Sequence, residues 1–156
     1  MSDQPVGFNP DEIRTGASTR STPLKWVIVV DRDLPAGRSV NAAACVSAAT
    51  TSSVSGLLGP GGPDSDGTLH AGLPWAGCSI LAADAEKLRV IRDKAATQEA
   101  IFVADMPTAA QEARVYDDYL NRLAGLPAEG IDYAAVSLVG PRKQVDKIVG
   151  RLRLLP

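Results

Sequence analysis

The chain has 156 residues, 45% hydrophobic, 22% charged and 4% aromatic, with 16 basic against 18 acidic side chains and a net charge of −2. That length accommodates one ordinary domain that buries its apolar surface without metal or disulfide staples, and it excludes a multi-domain organisation. The near-balanced charge argues against tight nucleic-acid binding, because a domain that neutralises many phosphates carries a large basic excess.

Two cysteines, Cys45 and Cys78, form no CxxC pair, and His70 is the single histidine. A zinc cage or disulfide framework has no support in that pattern, and neither a metal nor a cofactor is expected. A reduced, cytoplasmic setting is the expectation. The first residues lack a charged start followed by an apolar core, and no apolar run reaches the roughly 20 residues that span a bilayer. The protein is expected to be soluble, with no membrane partner.

Residues 1–23 are rich in Ser, Thr, Gly, Asp and Pro, with Val6, Phe8 and Ile13 as isolated apolar positions. So sparse a set does not offset the entropy of ordering the segment, which is read as a flexible N-terminal arm. The alternative is that Phe8 and Ile13 dock as anchors, for instance onto a neighbouring subunit. The domain proper is expected over 24–156. At Leu24 the sequence turns into Leu-Lys-Trp-Val-Ile-Val-Val-Asp, an apolar, β-branched run suited to a strand buried on both faces. Pro35 and Gly37 break it, and Ser39 is placed to cap a helix lined by small side chains from Asn41 through Ala49.

Residues 56–72 hold a dense set of turn formers and predict a long exposed loop, a candidate lid carrying His70. A second strand is expected over 75–82, then a helix capped by Asp84 with Leu88, Ile91 and Ala95 on its apolar stripe. A short third strand over 100–104 leads to Thr108 and Gln111, spaced as a capping box, and to a helix with Tyr116, Leu120 and Leu123 as its stripe. A fourth strand over 131–139 and a helix opening at Pro141 complete the chain. This alternation predicts an α/β domain, a three-layer α/β/α sandwich on a sheet of about four strands.

No GxxxxGK[ST], GxGxxG or GxSxG motif is present. A Ser-His-Asp arrangement would have to recruit His70 from the loop. Cys45, near the start of a helix and among alanines, reads as a small buried hydrophobe ahead of a reactive thiol. Cys78 reads as structural. Asp105 follows an apolar strand, and open α/β sheets bind ligands beyond the carboxyl ends of their strands, the edge also reached by Asp31 and Asp33. If the three carboxylates share a water-excluding rim, their repulsion favours a protonated form of one and an acid/base role. Arg142, Lys143, Lys147, Arg151 and Arg153 read as a solvated basic face.

Lys25-Trp26-Val27-Ile28-Val29-Val30, Asp33-Leu34, Gly37, Ala42-Ala43, Cys45 and Ala48-Ala49 resemble the opening of the type 2 peptidyl-tRNA hydrolases. Val139-Gly140-Pro141, Val145-Asp146-Lys147-Ile148-Val149 and Leu152-Arg153-Leu154-Leu155 resemble their ending. Ser39-Val40-Asn41, Leu81-Ala82-Ala83-Asp84, Asn121 and Arg142-Lys143 are closer to a related bacterial family catalogued only as a domain of unknown function, the DUF2000 type. The resemblance spans residues 24–155 and implies a mixed sheet and a homodimer. In the hydrolases a helical lysine and histidine and a strand-end aspartate cleave the ester between peptide and tRNA. Val40 and Ser47 stand at the lysine and histidine positions, Ala44 replaces a glutamine, and Asp105 keeps its counterpart.

Valine cannot donate a hydrogen bond or carry charge, so nucleic acid is not expected as a partner. The expected protein is an enzyme acting on an acyl ester, amide or related small substrate. Asp105, Ser47 and His70 would be the catalytic candidates, and Arg38, Asn41, Cys45 and Asn121 the substrate-binding ones. The alternatives are a non-catalytic ligand-binding or assembly module and residual peptidyl-tRNA hydrolysis.

Overall fold

The apolar run from Leu24 forms the strand around which the domain is organised. A computed structural model of the protein describes residues 5–156; residues 1–4 of the expected arm lie outside the described residues. Strand β1 (Leu24–Asp31) is followed by the long helix α1 (Ala36–Ser53) and a small hairpin, β2 (Gly62–Pro63) with β3 (Leu69–His70). Then come β4 (Ser79–Ala83), α2 (Ala85–Ala96), β5 (Phe102–Pro107), two short helices α3 (Thr108–Glu112) and α4 (Tyr116–Ala124), β6 (Tyr133–Pro141) and α5 (Arg142–Val149).

The main sheet has the order β4-β1-β6-β5. β1 runs parallel to β4, and β6 lies antiparallel to both β1 and β5, so the sheet is mixed. Side chains alternate across it because successive residues of a strand point to opposite faces. Val27, Val29, Val136 and Leu138 join Leu88, Ile91 and Ala95 of α2 and Val145 and Val149 of α5 in one core cluster. Trp26, Ile28 and Val30 join Ala42 and Val46 of α1 in the other. The two central strands are buried on both sides, which explains why β1 and β6 read as nearly continuous apolar runs.

The structure corrects several boundaries. Pro35, not Ser39, is the N-cap of α1, and Ser39 is buried in the first turn. Residues 75–78 precede β4 and turn through Gly77 at φ +75°, the left-handed region that suits glycine. The exposed loop after α1 is built on the β2–β3 hairpin, where a Cβ on Gly72 would lie 1.9 Å from the Gly59 carbonyl oxygen. The helix expected from Thr108 breaks at Ala113, an extended residue, into α3 and α4. Gln111 does not close a capping box; its Nε2 donates to the Arg38 carbonyl at 2.7 Å and ties α3 to the start of α1.

The segment before β1 is no free arm over its described part. Phe8 is 5% exposed and packs on Trp75 with ring centroids 4.9 Å apart. Ile13 packs against the same cluster, so both anchors dock on their own chain.

Candidate functional site

Asp105 lies within β5, not after it, because the strand runs to Pro107. It pairs in register with Val136, so its side chain shares the sheet face covered by α2. Arg92 of α2 meets it there, its Nε donating to Asp105 Oδ2 at 3.1 Å. The Arg92 guanidinium also stands 5.7 Å from the centre of the Tyr133 ring and 3.7 Å from Asp93. Burial works against the Arg92 charge, but the hydrogen bond and charge of Asp105, with Tyr133 and Asp93, more than offset it and raise its pKa. The expected rim of three carboxylates is therefore corrected. Asp105 faces a cation, and Asp31 accepts from the Asp33 amide at 3.0 Å in its own turn.

Along β5, the terminal strand of the sheet, runs a recess of about 430 Å³. Cys45, Val46 and Ala49 of α1 form one wall and Asp105, Met106 and Pro107 the floor, while Tyr116 and Tyr119 of α4 close the far side. The two tyrosine rings meet edge to face with centroids 5.6 Å apart. Burial first, then the charge of Asp105 and the neighbouring Tyr116, raise the pKa of Tyr119, so its phenol holds its proton above the usual tyrosine range. The recess thus combines an apolar body and a protonated phenol with Asp105 in its floor, the Asp105 carboxylate turned toward Arg92 at the α2 side of the edge strand, a mix that small-molecule sites use for binding and orientation. Arg114 stands at its edge.

Residues 24–156 match the family described as "Protein of unknown function (DUF2000)". The chain belongs to the DUF2000 family. A solved structure of a protein of unknown function from Agrobacterium tumefaciens is similar over 85% of this chain and 97% of that one, with a TM-score of 0.78 at 18% sequence identity. At that identity the likeness establishes the α/β fold alone. No curated protein matches the DUF2000 chain.

Of the residues expected at the site, Asp105 and Cys45 come together. Cys45 is exposed on the recess wall, not buried as the alanine context suggested. Ser47 turns back on its own helix, donating to the Ala43 carbonyl at 2.7 Å. Arg38 and Asn41 sit at the start of α1, held by Gln111, whose Nε2 lies 3.3 Å from Asn41 Oδ1. Asn121 is exposed on α4 and does not line the recess. His70 lines a different recess with Thr15, Gly59 and Trp75, and its Nε2 lies 3.3 Å from Asp64 Oδ2. Val40 is 67% exposed. Among the described residues no group of three or more His, Cys, Asp or Glu is placed to hold a metal ion, and no helix is long and apolar enough to cross a membrane.

Arg92 and Tyr119 are not singled out by sequence pattern. Arg92 follows buried Ile91 on a helix that packs over the sheet, so its side chain emerges at the flank of the packed face. Tyr119 lies three residues after Tyr116, a spacing that puts both rings on one side of α4.

Proposed function

We propose that this DUF2000 protein binds a small organic molecule in the recess between α1, β5 and α4, with Asp105 as its polar anchor. The observation that carries this reading is the convergence of Asp105 and Cys45, from different elements, on one recess with an apolar floor and a tyrosine wall. The Arg92 partner holds the Asp105 carboxylate in one orientation, which suits recognition of a ligand donor. Ala49→Trp tests the site, because the exposed position tolerates the ring while the recess is filled. A panel of aryl esters and anilides should contain members that raise the melting temperature of the unmodified protein and leave Ala49→Trp unmoved. Equal shifts in both proteins would refute the site.

A second reading makes the same recess catalytic toward an acyl ester or amide. It is favoured by the protonated Tyr119 phenol near Asp105, since a carboxylate can take a proton from attacking water while a phenol donates to the developing oxyanion. Asp105→Asn should then lower turnover by about 100-fold or more while circular dichroism stays native. Unchanged product formation would exclude Asp105 as the acid/base. Peptidyl-tRNA hydrolysis is the weaker reading, because Val40 and Ser47 stand where the resemblance to the hydrolases would put their lysine and histidine.

A further inference from the structure

On the sheet face covered by α2 and α5 lies another recess, of about 430 Å³, lined by Lys94, Thr97, Gln98, Gln144, Lys147 and Ile148. The two ammonium groups come from the last turns of two different helices. Lysines there commonly cap helix carbonyls, but three of those carbonyls already have other donors. The Lys94 carbonyl accepts from Thr97 Oγ1 at 2.8 Å, the Ala95 carbonyl from the Gln98 amide at 3.0 Å, and the Asp146 carbonyl from the Gly150 amide at 2.9 Å.

Carboxylates do not neutralise the pair either. Among the described residues every ion pair within 4.0 Å involves other cations, and the nearby Asp146 and Asp93 are engaged with Lys25 and Arg92. Arg151, just past the end of α5 that carries Lys147, adds like charge in a protein whose net charge is −2. Both lysines thus line one recess without a carboxylate partner, which leaves their charge available to an anion.

We propose that this recess binds a small organic phosphate. Lysine ammonium groups serve as point-charge phosphate ligands, and Thr97, Gln98 and Gln144 add neutral donors around them. Ile148 supplies an apolar wall for the organic part, and the volume falls within the roughly 300–1,000 Å³ typical of small-molecule sites. The site is separate from the Asp105 recess and independent of the function assigned to it.

Inorganic pyrophosphate is the first probe, with citrate at matched ionic strength as the carboxylate control. Calorimetry on the full chain should give saturable pyrophosphate binding at least tenfold tighter than citrate. The double variant K94Q/K147Q changes only exposed side chains and should weaken pyrophosphate at least tenfold, whereas R151Q, outside the lining, should leave it within twofold. Equal affinity in the double variant, citrate binding as tightly as pyrophosphate, or no saturable binding would each overturn the assignment.

Discussion

The two thiols occupy opposite surroundings, and each is testable alone. Cys45 is exposed on α1, whereas burial pushes the Cys78 thiol up to about 12 from an ordinary value of 9.0. Because the thiolate is the nucleophile, one equivalent of iodoacetamide should enter the native protein at pH 8, at Cys45, and a second only after unfolding. Peptide mapping reads the site, and rapid native labelling of Cys78 would contradict its burial. The same raised value has a consequence for stability. The native thiol keeps a proton that the unfolded thiol has already lost, so between about pH 9 and 12 unfolding releases it and stability falls as pH rises; below pH 9 the contribution is fully present. Cys78→Ala should flatten that alkaline slope in urea unfolding measured from pH 8 to 10.5. An unchanged slope would assign it to the tyrosines, since Tyr119 and Tyr133 are also raised, chiefly by burial.

Helix and sheet are joined by a buried polar relay. Trp26 Nε1 of β1 donates to Ser137 Oγ of β6 at 2.9 Å, Ser137 lies 2.7 Å from Thr50 Oγ1, and Thr50 donates to the Val46 carbonyl of α1 at 2.6 Å. Ser137 and Thr50 are fully buried, so Ser137→Ala leaves the indole N–H without a partner and should cost about 1–3 kcal/mol in urea unfolding. In W26F/S137A no donor is orphaned, so the double variant should lose less than the sum of the single losses; strict additivity would refute the relay. Such long-range pairs are invisible in a sequence. β1, the Asp84-capped α2 and the basic opening of α5 were legible because local apolar period and cap chemistry agree with the packing there. The break between α3 and α4 was not, since no Pro or Gly stands at Ala113 and Gln111 is drawn to Arg38, far away in sequence. The exposure of Cys45 is hidden in the sequence because α1 carries alanines on both sides: Ala42 is buried, whereas Ala44, Ala48 and Ala49 are exposed. A helix with so little contrast does not announce its covered face. Asp105 was found from its place beside a strand, but its partner Arg92 depended on the register of α2 over β5.

At the scale of the whole molecule, the segment before β1 acts as part of the core, although the family match begins only at residue 24. Phe8 joins Val54, Leu57 and Trp75 where α1 ends, and its amide donates to the Ser55 carbonyl at 3.0 Å. A Cβ on Gly56 would meet Phe8 and Ile13 at 3.0–3.2 Å, so the chain leaves α1 pressed against the segment. At its other end the Arg142 guanidinium donates to the Thr19 and Thr22 carbonyls, fastening the segment to the first turn of α5. Sparse apolar content suggested an entropy cost that could not be met, but one nearly buried ring among preformed apolar neighbours recovers far more than its share of the sequence implies. Phe8→Ala should therefore cost about 3 kcal/mol, at the lower end for a buried aromatic because the site lies close to the surface and can partly relax. That is a large part of the about 5–15 kcal/mol that holds a domain folded. Urea unfolding followed by tryptophan fluorescence should show one transition at a lower midpoint, because Trp75 reports the Phe8 contact and Trp26 the sheet. If the midpoint stays put while Trp75 alone changes, the segment is a separable arm and the single cooperative unit ends at β1.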